Sequence, residues 1–109
     1  MTRRDDQWLN DIVSAIDAIR DHLARGGLDD GLVFDAVRVR LIEIGEAVKA
    51  IGADVLAQEP DIAWSDIAAM RNYLAHRYFD TDHGIIQATI DHDLPPLAAA
   101  VGRLLRLPS

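Results

Sequence analysis

From Met70 to Tyr78 the chain reads Met-Arg-Asn-Tyr-Leu-Ala-His-Arg-Tyr, which crowds a guanidinium, a carboxamide, an imidazole and a phenol into an otherwise apolar helical pattern. Histidine is the one side chain whose ordinary pKa lets it both take and give a proton near neutrality. Arginine is a permanently charged planar fork matched to phosphate oxygens. Together Arg71 and His76 suit phosphoryl chemistry. His76 can take the proton of a ribose 2′-hydroxyl or give one to a leaving 5′-oxygen, while Arg71 neutralises charge growing on the phosphate. Asn72, one turn before His76, can hydrogen-bond the imidazole or the substrate. This chemistry requires no metal and implies no cofactor.

A helix is what brings these groups together. At about 100° per residue, with Arg71 as origin, Asn72 and His76 fall at about 100° and 140°, and Tyr78 returns to about −20°. Ile67, Met70 and Leu74 occupy the adjoining arc at about 260–320°. The polar group therefore borders a core-facing stripe, where a pocket or an interface can form. The spacing predicts a helix from Trp64 or Ser65 to about Tyr78, with Ser65 as its cap and Asp66 in its first turn. Trp64 reads as a core anchor rather than a base-stacking platform.

Further segments frame that helix. From Asp5 to Arg25, Trp8, Ile12, Ile16, Ile19 and Leu23 recur at three- and four-residue steps, until Gly26-Gly27 stops the helix. Asp5, Asp6 and Asp11 sit towards its positive end and Arg20 and Arg25 towards its negative end. His22 reads as solvent-facing. Asp29 or Asp30 caps a second helix to about Ile51, with Val33, Val37, Leu41, Ile44, Val48 and Ile51 as its stripe. Gly45 inside it costs about 1 kcal/mol relative to alanine, which predicts close approach of another backbone there. Glu43 and Glu46 are spaced to face one groove, and Glu46 reads as a structural salt link to Arg71 rather than as an acid or base.

Asp54 to Glu59 can form a short helical turn before Pro60. After an exit at Phe79-Asp80-Thr81-Asp82, with Asp82 a possible cap, the last segment carries Ile85, Ile86 and Ile90, then Leu97, Val101, Leu104 and Leu105. Pro95 and Pro96 predict a break or kink near 93, with Asp93 capping a fresh helix. His83 and His92 lack a third ligand at suitable spacing and read as ordinary polar residues. The resulting fold class is all-α, an up-down bundle of four to five helices with its last helix broken or kinked near Pro95-Pro96, in one domain over residues 1–109.

The chain has 109 residues, half of them hydrophobic, no cysteine and a net charge of −7. That supports one compact core and excludes a disulfide framework. No apolar run approaches a membrane span, and Arg3-Arg4 is followed by Asp5-Asp6 rather than by an apolar signal core, so a cytoplasmic protein is the simplest expectation. The acidity argues against a general nucleic-acid coat. A local basic cleft from Arg71 and Arg77, helped by Arg38, Arg40 or Lys49, would still serve a nuclease, and the acidic remainder would suit a basic partner.

At Arg71, four residues, His76, Arg77, Tyr78, the sequence resembles the HEPN superfamily and, within it, the HepT-like toxins of HepT/MntA toxin–antitoxin systems, whose signature is Arg, four to six residues, His, any residue, Tyr. Asn72 stands where the family usually has asparagine. Leu41-Ile42-Glu43-Ile44-Gly45-Glu46-Ala47 is similar to the family's Gly-Glu-Ala segment, and Trp64, Ile67, Met70, Tyr78-Phe79-Asp80 and Asp93-Leu94-Pro95 follow its order. The resemblance implies a homodimer whose two motifs form an RNA cleft, and a metal-independent endoribonuclease that leaves a 2′,3′-cyclic phosphate. It implies Arg71 and His76 as catalytic residues, beside which Asn72 and Glu46 read as supporting ones, and a nucleotidyltransferase antitoxin of the MNT type that transfers AMP from ATP to Tyr78. Two other classes fit the same residues: a non-catalytic helical subunit that regulates a nucleotidyltransferase, and a nucleotide-binding module using Arg71 for phosphate.

Overall fold

A computed structural model describes residues 3–77 and 83–106, and its elements are all helical: α1 (Arg3–Arg25), α2 (Gly31–Ala50), the short α3 (Ala53–Leu56), α4 (Trp64–His76), α5 (His83–Ala88), a π turn (Thr89–Asp93) and α6 (Leu94–Arg106). The expected all-α bundle is what forms. α2 lies between α1 and α4, and α1 also packs on α6. No helix among the described residues is long and apolar enough to cross a membrane.

The periodic stripes become the core. All six apolar residues expected on α2 are buried, from Val33 to Ile51. On α1 the buried line is Leu9, Ile12, Ala15, Ile16 and Ile19. Trp8 and Leu23, counted in the expected stripe, are only half-buried at its margin. Leu97, Val101 and Leu104 carry the seam of α6. Each such aliphatic side chain contributes about 1.5–3 kcal/mol when removed from water.

Helix ends are set partly by local caps and partly by distant groups. Asp30 rather than Asp29 caps α2, its carboxylate accepting from Leu32 N at 2.9 Å and Val33 N at 3.5 Å. Asp5 is buried and accepts the Gly52 amide at 3.1 Å, tying the start of α1 to the chain just beyond α2.

Ser65 does not cap α4. The helix starts at Trp64, within the expected bounds, with Ala63 at the capping position, and the Trp64 indole N–H is shared between the Leu56 and Glu59 carbonyls, both at 3.0 Å. The other end also differs from expectation. α4 stops at His76, and Arg77 leaves the helix at φ −117° and ψ 46°. The Leu74 carbonyl, which a continuing helix would use, already accepts from Arg38 at 2.8 Å. Tyr78 and Asp82 lie outside the described residues.

In the last segment the prolines produce a π turn rather than a fresh helix capped by Asp93. The Leu94 amide bonds to the Thr89 carbonyl five residues back, and Leu94 itself keeps helical angles of −67° and −43°. Thr89 Oγ1 donates back to the Ile85 carbonyl at 2.9 Å, a contact that bends helices. The wider turn relieves the crowding of proline rings against preceding carbonyls, so Asp93 has no helix start to cap.

Candidate active site

The site is built on the contact between α2 and α4. A Cβ at Gly45 would sit 2.7 Å from Arg71 Cβ, 3.2 Å from the Ile67 carbonyl oxygen and 3.3 Å from Arg71 N. Only a residue without a side chain lets the α4 backbone come this near. The approach occurs at Arg71 itself, and the next residue of α2, Glu46, accepts a hydrogen bond from Arg71 Nε. The salt link read from the sequence is therefore present. Arg71 Nη1 also donates to Asn72 Oδ1 at 3.0 Å. Of the two partners read for Asn72, the imidazole or the substrate, the imidazole is not the one it meets here; its carbonyl oxygen is taken by the Arg71 fork.

Arg71 is 34% exposed and Glu46 47%, so neither is sealed in the bundle. Solvent screening makes the pair worth little as a stabiliser. What it fixes is direction: two donors of the fork are committed and the plane of the guanidinium is set. His76, the last residue of α4, is exposed. It lies five positions beyond Arg71, a rise of about 7.5 Å.

The other cations are disposed unequally. Arg77 lies with its guanidinium carbon 5.7 Å from the Tyr73 ring centroid, a cation–π arrangement. Arg40 forms bonds of 3.0 Å to both carboxylate oxygens of Glu43. Lys49 is exposed in the last turn of α2. Arg38 turns to the Leu74 carbonyl, a role that no local pattern signals. Glu43 and Glu46 do share a groove, of about 560 Å³, whose wall on α1 includes Trp8, Ser14 and Ala18. Tyr78, the expected site of modification, is outside the described residues.

The remaining histidines lie on other elements. His22 is half-buried with Nε2 closed off from solvent, contrary to the solvent-facing position expected for it, because its ring lies beside Arg25, Val33 and Ala36 where α1 and α2 meet. His83 stacks on Phe34, ring centroids 4.1 Å apart and planes inclined by 21°. His92 is exposed beside Asp61, Asp66 and Asp93. Among the described residues no three His, Asp or Glu side chains gather as a metal site. Trp64, with its indole bonded to two carbonyls, packs on the core as expected.

Comparison with known proteins points one way. Residues 9–104 match the family described as ribonuclease HepT-like. The chain is 32% identical over 108 residues to a probable ribonuclease HepT of Thermococcus cleftensis, covering 95% of this chain and 98% of that one. It is 29% identical over 111 residues to a putative RNase of Methanocaldococcus jannaschii, covering 97% and 96%. A putative RNase of Caldanaerobacter subterraneus is 38% identical over 69 residues, 62% of each chain. No solved structure matches. With the match spanning the helices from Leu9 to Leu104, the chain belongs to the ribonuclease HepT-like family of the HEPN superfamily.

Proposed function

We propose that the protein is a metal-independent endoribonuclease, the toxin of a type VII toxin–antitoxin pair. The observation that carries this reading is Arg71, held at the surface of α4 by Glu46 and Asn72 on the same helix as the exposed His76. A base removes the proton from a ribose 2′-hydroxyl, and the oxygen attacks the neighbouring phosphorus. The bond to the 5′-oxygen then breaks, leaving a 2′,3′-cyclic phosphate and a 5′-hydroxyl. His76 serves as the base or as the acid that protonates the leaving oxygen. Arg71 stabilises the negative charge spread over the phosphate oxygens in the transition state. In a homodimer, two such faces supply both proton transfers and double the local positive charge at the cleft, although each chain carries a net charge of −7.

The same reading gives the neutralising step. A nucleotidyltransferase antitoxin presents ATP to Tyr78, the phenolic oxygen attacks the α-phosphorus, pyrophosphate leaves and the phenol proton passes to solvent. The resulting phosphodiester is bulky and anionic. It blocks the cleft and repels RNA.

The direct test incubates the purified protein with mixed RNA in EDTA, beside Arg71→Ala and His76→Ala variants. Cleavage is expected from the unaltered protein, with each variant slower by about a hundredfold or more. Equal cutting by all three identifies a contaminant and removes the assignment. Tight binding of a nucleotidyltransferase without any cleavage would favour a regulatory helical subunit.

A further inference from the structure

α2 meets α4 at successive levels: Arg38 at Leu74, Gly45 at Ile67 and Arg71, and Glu46 at Arg71. Rising numbers on α2 meet falling numbers on α4, so the two helices run antiparallel. Glu46 and Gly45 set the level of Arg71. The level nearest His76 is set by Arg38.

Arg38 is half-buried, and its Nη1 donates to the Leu74 carbonyl at 2.8 Å, within the range of charge-assisted hydrogen bonds. The last four carbonyls of a helix have no amide partner inside it. In α4 the Tyr73 carbonyl is taken by the Arg77 amide at 3.0 Å, and the Leu74 carbonyl by Arg38. A cation at this point also meets the partial negative charge of the helix end. His76 follows Leu74 by two residues, so the guanidinium holds the turn that carries the imidazole.

We infer that Arg38 is a positioning residue for RNA cleavage: it fixes the final turn of α4 and so the placement of His76 relative to Arg71. The inference rests on the nuclease reading given above. It moves Arg38 out of the set of cations that face RNA phosphate and gives it a backbone oxygen instead. The two roles differ in their kinetics. A phosphate contact acts on binding and on its salt dependence, whereas a lost position acts on turnover, where a displacement of about 1 Å can cost about a hundredfold.

The test uses Arg38→Met, which keeps the apolar stem and deletes the donors, and Arg38→Lys, which keeps a donor and the charge. Cleavage of a defined RNA is followed over a series of salt concentrations, and amide hydrogen exchange is read at residues 74–77. Arg38→Met is expected to lower kcat by about tenfold to a hundredfold, leaving KM and its salt dependence unchanged. Exchange at 74–77 should quicken while the α1 core stays protected. Arg38→Lys should recover most of kcat.

A raised KM with a shallower salt dependence and intact kcat would overturn the inference in favour of a phosphate contact. Unchanged kcat in Arg38→Met would also overturn it, as would equal loss in both variants. Absence of cleavage by the unaltered protein would fail the nuclease reading and this one with it. Quickened exchange in that case would still show the clamp on α4, separating the failure of the chemistry from a failure of the geometry.

Discussion

Arg71 is committed on two sides before any substrate arrives, with Nε given to Glu46 and Nη1 to Asn72. A long side chain that would otherwise lose rotamer freedom on binding is already placed. Exposed pairs of this kind are worth about 0.2–1 kcal/mol, so the expected effect of Glu46→Gln on RNA cleavage is modest, a fall in kcat/KM of about two- to fivefold. Steady-state kinetics on a defined RNA would measure it. A loss as large as that of His76→Ala would mean that Glu46 moves a proton itself. At this scale the sequence was informative where a contact follows from helix geometry: Gly45 announced a close approach, and Glu46 beside it announced a partner for Arg71. The partner of Asn72 and the enclosure of His22 were not legible. Both depend on which neighbour a side chain reaches first, and that is decided by packing across helices.

Among the elements, the contact of α2 with α4 controls the site. Gly45→Ala gains about 1 kcal/mol in helix propensity but forces a methyl group to within 2.7 Å of Arg71 Cβ. Overpacking of this sort costs about 1–3 kcal/mol, and the carbonyl of Ile67 at 3.2 Å leaves little room to yield. The expected result is a lower Tm by thermal denaturation together with reduced cleavage, because Arg71 shifts with its helix. An unchanged or raised Tm would refute the steric account. The stripes of α1, α2 and α6 could be read from apolar spacing since burial is what selects those residues. The start of α4 at Trp64 was legible as well, but its far end was not: that end is met by Arg38 arriving from a different helix, a donor far in sequence from the carbonyl it binds.

Over the whole molecule, two long-range polar ties complement the apolar core. Asp5 holds the chain beyond α2. Arg103 of α6 grips Glu59, with Nη2 at 2.5 Å from Oε1 and Nε at 3.1 and 3.2 Å from the two oxygens. The hydrogen bonds from Arg103 hold the Glu59 carboxyl below its ordinary value, and the same bonds raise the guanidinium's. A carboxyl lowered on folding adds stability that is present above its unfolded pKa and disappears as pH falls through the folded value. Glu59→Gln is therefore expected to melt below the unaltered protein at neutral pH, with the gap closing in acid. A gap that persists or widens in acid would show that packing rather than charge is lost. The number and order of helices were legible from the chain, as was their all-α character. The pairing of α1 with α6 was not, since no local pattern tells one amphipathic helix which other it will meet.

The π turn at Thr89–Asp93 acts as a counting device. It packs one residue more into a turn than an α-helix does, so everything from Leu94 onward is turned back by about 100° and set back by about 1.5 Å compared with an uninterrupted α-helix of the same residues. The seam of Leu97, Val101 and Leu104 meets α1 with that residue absorbed. A chain shortened by one position between 89 and 93 could run on as plain α-helix with the same seam presented, whereas straightening the turn with every residue kept would rotate the seam away.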